Sequence, residues 1–177
     1  MTPLPGALGG ADLMAWRIET ARHFGTWATA EGAFLFGGRW NSPGRRVLYA
    51  SIDPSTAIVE VGVHKGFHTL DTVSHVLLQL QVLDPSKAHV VQQASLPNPH
   101  WLRPGTPSAG QQQFGDALFE THPILMVPSV VSPHSWNLLI DVTAAAGLFK
   151  LTHSEPFALD PRLNPPSPAG ASGSSAR

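Results

Sequence analysis

Residues 72–83 alternate between apolar and polar side chains with the two-residue period of a β-strand. Apolar residues occupy every second position, at Val76, Leu78, Leu80 and Val82. Gln79 and Gln81 lie between them, and Asp84-Pro85 would close the segment. The pattern predicts a strand with one face in a core, and a chain containing it must supply a sheet and cover one side of that sheet.

Other segments predict further strands and two helices. Strands are expected at residues 16–20, 46–51, 89–92, 124–131, 136–142, 148–152 and 157–159. Asp53-Pro54 provides an N-cap and a proline at the first helical position of a helix that ends near Gly66. Ser108 with Gln111 resembles a capping box, which opens a helix to about Glu120. Because strands dominate and do not alternate regularly with helices, the fold class is α+β.

Composition excludes several classes of protein. The 177 residues include no cysteine, which excludes disulfides, Cys-ligated zinc and thiol nucleophiles, and fits the cytoplasm. The net charge of −1 shows no basic surplus for direct binding of nucleic acid. No apolar run reaches the roughly 18 residues of a membrane span, and the first ten residues do not form a secretory signal. Charged residues make up 13%, about half the usual fraction, which predicts an apolar surface for a partner.

The two ends differ in composition from the rest of the chain. Residues 1–10 are rich in proline and glycine, and we expect a flexible N-terminus. Residues 164–177 are of low complexity and lack packing residues, and we expect a disordered tail. Residues 11–163 remain as one domain. The proline-rich segment 97–107 should form a loop, as should residues 26–36.

A Gly-rich loop, a strand and a helix together suggest a binding site. Gly37-Gly38 allows close approach of the backbone to a ligand, and Arg39 beside it carries a forked donor for anions. Tyr49 lies on the predicted strand that follows, and Glu60 lies on the next helix. A cation, an aromatic ring and a carboxylate in this order fit an anionic, sugar-bearing ligand.

The run GGRWNSPGRRVLYASIDPSTAIVEVGVH, residues 37–64, resembles the core signature of the RES-domain toxins, which are named for an arginine, a glutamate and a serine. Shorter family-like motifs occur in the same order at residues 16–18, 115–118, 127–129, 137–139 and 157–163. The resemblance therefore runs from about Trp16 to Leu163. It implies an ADP-ribosyltransferase-like fold of mainly antiparallel strands with flanking helices, and NAD as the substrate.

The resemblance also implies a biological role. Members of the family are typically toxins of bacterial type II toxin–antitoxin pairs, and the partner it implies is a helix-turn-helix antitoxin of the Xre type. The expected reaction cleaves NAD at the nicotinamide N-glycosidic bond and so arrests growth. Water, phosphate or a target protein can each be the acceptor of ADP-ribose. A homodimer is possible, although no symmetric patch indicates one.

Arg39, Glu60 and Ser129 are the expected catalytic residues. Arg39 would bind the pyrophosphate or orient the nicotinamide ribose, and its alternative is a surface arginine in a turn. Glu60 would face the positive charge that develops on the ribose, or else lie on the solvent face of its helix. Ser129 would hold Glu60 or the ribose through a hydrogen bond, and by itself it would be a structural serine.

Four further residues are expected to bind the substrate. Tyr49 would stack on a ring of NAD or bind a ribose, unless it is a core aromatic residue. Arg17 would contact phosphate or form a salt bridge. Asn41 and Asn137 would shape loops around the ligand, although asparagine more often serves turn geometry.

Competing functions and a metal site remain as alternatives. A non-catalytic partner-binding module would suit the low charge, and a serine hydrolase would use Ser129 without a G-x-S-x-G elbow. His64 and His68 have the spacing of two ligands on a helix face, but Gly66 should end the helix between them. We therefore expect no metal.

Overall fold

The structure, a computed structural model, describes residues 13–132 and 134–165. The predicted flexible N-terminus lies outside these residues, and so do residues 166–177 of the predicted tail. No helix in the described part is long and apolar enough to cross a membrane.

Seven strands form one sheet. They are β1 (Leu13–Thr20), β2 (Val47–Ser51), β3 (His75–Val82), β4 (Ala88–Val90), β5 (Ile124–Pro128), β6 (Trp136–Asp141) and β7 (Phe149–Phe157). Their order in the sheet is β4-β5-β6-β2-β1-β3-β7. Only β4 and β5 pair in parallel, and every other neighbouring pair is antiparallel. This arrangement confirms the α+β prediction.

The α-helices are α1 (Glu31–Phe36), α2 (Pro54–Lys65), α3 (Phe67–Thr72) and α4 (Ala109–Phe119), and 3-10 helices span Ala21–Thr29, Pro85–Lys87, Gln93–Ser95 and Pro161–Leu163. The predicted start and end of α2 are confirmed. The Asp53 carboxylate accepts from Thr56 N at 2.8 Å, and the helix ends at Gly66, whose φ of 85° suits glycine. Both hydrogen bonds of the predicted capping box at Ser108 are also present in α4.

The alternating segment forms β3, as predicted for its central part. Leu78, Leu80 and Val82 are fully buried, and Gln79 and Gln81 are only partly buried. The strand lies inside the sheet, between β1 and the edge strand β7. Leu77 on the opposite face is also buried, because it packs in a cluster with Ile18, Leu70 and Leu159.

Three expectations about secondary structure are wrong. Residues 26–36 are largely helical rather than a loop, and Trp27 in this segment packs edge-on against Phe149, 6.1 Å between ring centroids. Residues 72–74 do not belong to the strand, because α3 ends at Thr72. The two strands expected at 148–152 and 157–159 are one edge strand, β7, where exposed polar residues and Pro156 are tolerated.

Two histidines, His75 and His89, are respectively buried and partly buried, and their environments disfavour the protonated form. His75 donates through Nδ1 to the Val73 carbonyl, and its Nε2 is buried without a partner among the described residues. Burial lowers the pKa of His75, an effect that Val73 and Glu19 oppose and Lys65 reinforces. The pKa of His89 is lowered by burial and by His122, whose ring is stacked on it at 4.0 Å.

Stability is therefore expected to fall as the pH drops below the ordinary histidine pKa of 6.5. Below pH 6.5 the two histidines bind protons more readily in the unfolded chain than in the folded chain. The stabilisation that is present above pH 6.5 is therefore lost as the pH falls towards the lower pKa values of the folded state. Urea unfolding from about pH 7.5 to about pH 5.5 should show a falling midpoint. His75→Gln together with His89→Gln should flatten the profile, whereas the exposed control His153→Gln should leave it as in the wild type.

Candidate active site

The loop of residues 37–46 carries Arg39 and is built around a buried asparagine. Asn41 is completely buried, and its Nδ2 lies 3.2 Å from Ala33 O, 3.0 Å from Ser42 O and 3.3 Å from Arg45 O. Gly37 has a φ of 70°, which few other residues adopt. Asn41 therefore contributes to the site through the shape of the loop.

Helix α4 supports this loop from one side. The Asp116 carboxylate accepts from Ser42 N at 3.2 Å, and Gln112 Nε2 donates to Gly38 O at 3.2 Å. Gly115 allows the helix to lie against the backbone of Trp40, since a Cβ there would overlap the Trp40 carbonyl. The helix thus holds the loop through contacts with its main chain. A bulkier residue at position 115 would break these contacts.

Tyr49 ties strand β2 to the same loop. Its hydroxyl donates to Asn41 Oδ1 at 2.7 Å and accepts from Trp40 N at 3.3 Å. Burial raises the pKa of this hydroxyl well above its ordinary value, so the group stays protonated and can donate. The ring leaves no room for a side chain at position 38, which explains why the loop has Gly38.

The Arg39 guanidinium is partly buried and held by the proline-rich loop. Nη1 donates to Trp101 O and Nη2 donates to Gly105 O, each at 3.1 Å. Burial lowers the pKa of Arg39, and the negative charge of Glu60 opposes that shift. The two carbonyls occupy only some of the guanidinium donors, so others are available to a ligand.

The Glu60 carboxylate accepts two hydrogen bonds at one oxygen. Ser129 Oγ donates to Glu60 Oε1 at 2.9 Å, and Asn137 Nδ2 donates to the same atom. Ser129 Oγ in turn accepts from Ser132 N at 2.9 Å. Glu60 is half-buried, so its side chain is oriented by these donors rather than extended into solvent.

A second set of hydroxyl contacts fixes the β5–β6 connection to α2. Thr56 Oγ1 lies 2.7 Å from Ser135 Oγ, and both hydroxyls donate to Asp53 Oδ2, at 2.6 and 3.1 Å. Ser129 N also bonds to Ser135 O at 3.0 Å. The segment that carries Ser129 is thereby attached to the first turn of the helix that carries Glu60.

Arg17 lies on β1 next to β2. The two strands pair at one position, where Trp16 lies opposite Ser51. Arg17 Nη1 donates to Tyr49 O at 2.8 Å, and Nη2 forms a 2.6 Å ion pair with Glu19. Burial by itself would raise the pKa of Glu19, but the charge and hydrogen bonds of Arg17 lower it below the ordinary value. The ion pair leaves the guanidinium partly exposed, with 24% of its side chain accessible.

Sequence reasoning placed some of these residues differently and missed others. Ser129 follows the end of β5 rather than lying inside a strand, which leaves its hydroxyl free to reach Glu60. Ser51, Thr56 and Ser135 were not expected in the site. Ser51 lies two residues after Tyr49 on β2, so the two side chains are on the same face of the strand. This spacing is the sequence signal that indicates Ser51.

No group of three or more His, Cys, Asp or Glu side chains among the described residues could hold a metal ion. His64 is the last residue but one of α2, and His68 lies in α3 beyond Gly66.

Comparison with known proteins identifies the family. Residues 14–160 match the family model described as the RES domain. The chain belongs to the RES-domain family. Among RES-domain relatives, "Toxin Res" of Yersinia enterocolitica is 31% identical over 156 residues, which are 85% of this chain and 99% of that protein.

Two further relatives broaden the comparison. The "Prs ADP-ribosylating toxin" of Sphingobium is 32% identical over 133 residues, covering 71% of this RES-domain chain and 80% of that protein. A chain in the crystal structure of the M. tuberculosis MbcT-MbcA toxin–antitoxin complex superposes with a TM-score of 0.66 at 21% identity, over 83% of this chain and 85% of that chain. This structure shows that the two chains share a fold.

Proposed function

We propose that this RES-domain protein is the toxin of a bacterial toxin–antitoxin pair and cleaves NAD at the nicotinamide N-glycosidic bond in the cytoplasm. Nicotinamide would be released, and ADP-ribose would pass to water or phosphate. Growth would stop as NAD is depleted. The observation that carries the proposal is the Glu60 carboxylate, oriented by hydrogen bonds from Ser129 and Asn137.

The reaction needs a fixed negative charge close to the ribose. As the bond between C1′ and the nicotinamide nitrogen breaks, its electron pair leaves with nicotinamide and positive charge develops on the ribose. A carboxylate that is already oriented stabilises this charge without reorganising. Ser129 and Asn137 occupy Oε1 of Glu60, and Oε2 would face the ribose and its hydroxyls. The acceptor oxygen then bonds to C1′ and loses its proton.

Arginine donors would bind the anionic part of the substrate. Arg39 and Arg17 are both held in place by backbone carbonyls, and each has further donors for the pyrophosphate. Tyr49 and Asn41 would shape the wall beside Arg39, because the Tyr49 hydroxyl is bonded to Asn41. The ring of Tyr49 would supply the contact to a base or ribose.

A second candidate acceptor is a protein side chain. It is favoured by the name of the Sphingobium relative, an ADP-ribosylating toxin at 32% identity. The cleavage chemistry at Glu60 would be the same, and only the attacking group would differ. A transferase of this kind would release nicotinamide only slowly without its target.

The proposed partner is a helix-turn-helix antitoxin of the Xre type. Exposed apolar side chains support contact with a protein, since Phe36 is 79% and Leu35 54% accessible in α1, directly before the loop of Arg39. The similar solved structure is that of a toxin–antitoxin complex, which supports an antitoxin as the partner. A homodimer is the alternative use of this surface.

The test is nicotinamide release from NAD by the purified chain, freed of any partner, with and without phosphate. Release that requires phosphate would establish phosphorolysis, and release in its absence would establish hydrolysis. Transfer of labelled ADP-ribose from NAD to proteins of a lysate would establish the transferase. A folded chain that gives none of these products would refute the proposed function.

A further inference from the structure

We infer that Ser51 is a positioning residue of this site, which acts on Glu60 through Asn137. Ser51 Oγ donates to Asn137 Oδ1 at 2.7 Å, and Asn137 Nδ2 donates to Glu60 Oε1. The three side chains form a continuous chain of hydrogen bonds from β2 through β6 to α2. The inference rests on the proposed role of Glu60 in NAD cleavage.

The two ends of the Asn137 amide are not equivalent in this chain. Nδ2 can donate to the carboxylate, whereas Oδ1 in the same position would bring two acceptors together. The Ser51 hydroxyl proton satisfies Oδ1 on the far side of the amide. Without that proton Oδ1 loses its partner beside the buried Ser51, and the amide gains from rotating away from Glu60 toward water.

The backbone places Ser51 rigidly enough for this role. Ser51 lies opposite Asn137 in the pairing of β2 with β6, and opposite Trp16 where β1 meets β2. Its position is thus fixed by neighbouring strands on both sides. The residue is 3% exposed, so bulk water does not replace its hydroxyl. A polar group held by regular strands positions its partner better than one on a loop.

Geometry also separates Ser51 from the groups that would touch NAD. It meets Asn137 and not the carboxylate, so a loss of its hydroxyl acts only through the orientation of the amide. The expected signature is a lower kcat with KM nearly unchanged, because binding groups such as Arg39 are untouched. General weakening of the fold would instead lower the amount of active protein.

The experiment compares Ser51→Ala, Ser51→Thr and the exposed β7 control Ser154→Ala. In Ser51→Ala, kcat for nicotinamide release should fall about tenfold, which is the effect of one lost hydrogen bond. Ser51→Thr keeps the hydroxyl and should restore most of the rate. Ser154→Ala should match the wild type, and thermal unfolding should verify that every variant is folded.

A second readout does not depend on activity. The side-chain amide resonances of Asn137, assigned by NMR with an Asn137→Asp sample, should shift in Ser51→Ala and also in Glu60→Gln, but not in Ser154→Ala. A wild-type rate and an unshifted amide in Ser51→Ala would overturn the inference. If the wild type gives neither nicotinamide nor transfer of ADP-ribose to proteins, the proposed function fails, and the amide resonance still decides whether Ser51 positions Asn137 against Glu60.

Discussion

Glu60→Gln is expected to lower kcat for nicotinamide release by about 10²–10³-fold, the usual loss when a pre-oriented electrostatic contact to the transition state is removed. The glutamine side chain has nearly the same shape but no charge. Its amide would also present either a weaker acceptor or a donor to Ser129 and Asn137, which both donate to Oε1 in the wild type. Product analysis by chromatography at saturating NAD would measure the loss.

The matched control is Glu155→Gln, which removes a carboxylate on β7 that is 54% exposed and pairs with His153 at 3.5 Å. It should release nicotinamide at the wild-type rate, although it changes the net charge of the protein equally. A Glu60→Gln variant that is folded and retains more than about one tenth of the activity would contradict the assigned role. KM should change little, since binding of the pyrophosphate is assigned to the arginines.

Gly115→Ala is expected to destabilise the fold by about 3 kcal/mol, the upper part of the range for overpacking. The new methyl group would overlap the Trp40 carbonyl and lie 2.6 Å from Trp40 Cα. The obstacle is backbone, which cannot rotate away as a flexible side chain can. Helix α4 must then move off the loop, together with the contacts of Gln112 to Gly38 and of Asp116 to Ser42. Urea unfolding measures the change in the free energy of unfolding.

Gly110→Ala provides the control in the same helix. Its Cβ would meet only Ser108 Oγ, at 4.0 Å, so helix propensity should leave stability unchanged or raise it by up to about 1 kcal/mol. Equal losses in both variants would assign the effect to the helix backbone instead of the contact with Trp40. Because the displaced loop carries Arg39, Gly115→Ala should also raise KM for NAD if enough protein stays folded.

Helices α2 and α4 were predictable because capping residues mark their ends in the sequence. Asp53 and Pro54 mark the start of α2 and Gly66 marks its end, and Ser108 with Gln111 marks the start of α4. The strand β7 lacks such a signal, because an edge strand needs no alternation of apolar residues and its exposed middle reads as a loop. The helical turns around Trp27 have no such signal, and Trp27 packs against Phe149, which is distant in the sequence.

Residues of the candidate site can be proposed from the sequence, but their contacts cannot. Family resemblance selected Glu60, Ser129 and Asn137, and no local pattern indicates that one carboxylate oxygen accepts from both others. Ser51 looks like any serine at a strand end until the register of β2 and β6 places it opposite Asn137. The hydrogen bonds from Arg39 to the proline-rich loop likewise depend on tertiary structure, since Trp101 and Gly105 lie 62 and 66 residues further along the chain.

The sheet order has a consequence for synthesis of the protein. Glu60 receives its hydrogen bonds from residues 69 and 77 positions further along the chain. At a translation rate of about 5–20 residues per second, the carboxylate waits roughly 4–15 s for the second donor to be made. A truncated product that ends between Glu60 and Asn137 carries the Gly-rich loop and the glutamate, yet it lacks the Asn137 donor that orients the carboxylate. Fragments of this kind are therefore expected not to cleave NAD, although they contain both Arg39 and Glu60.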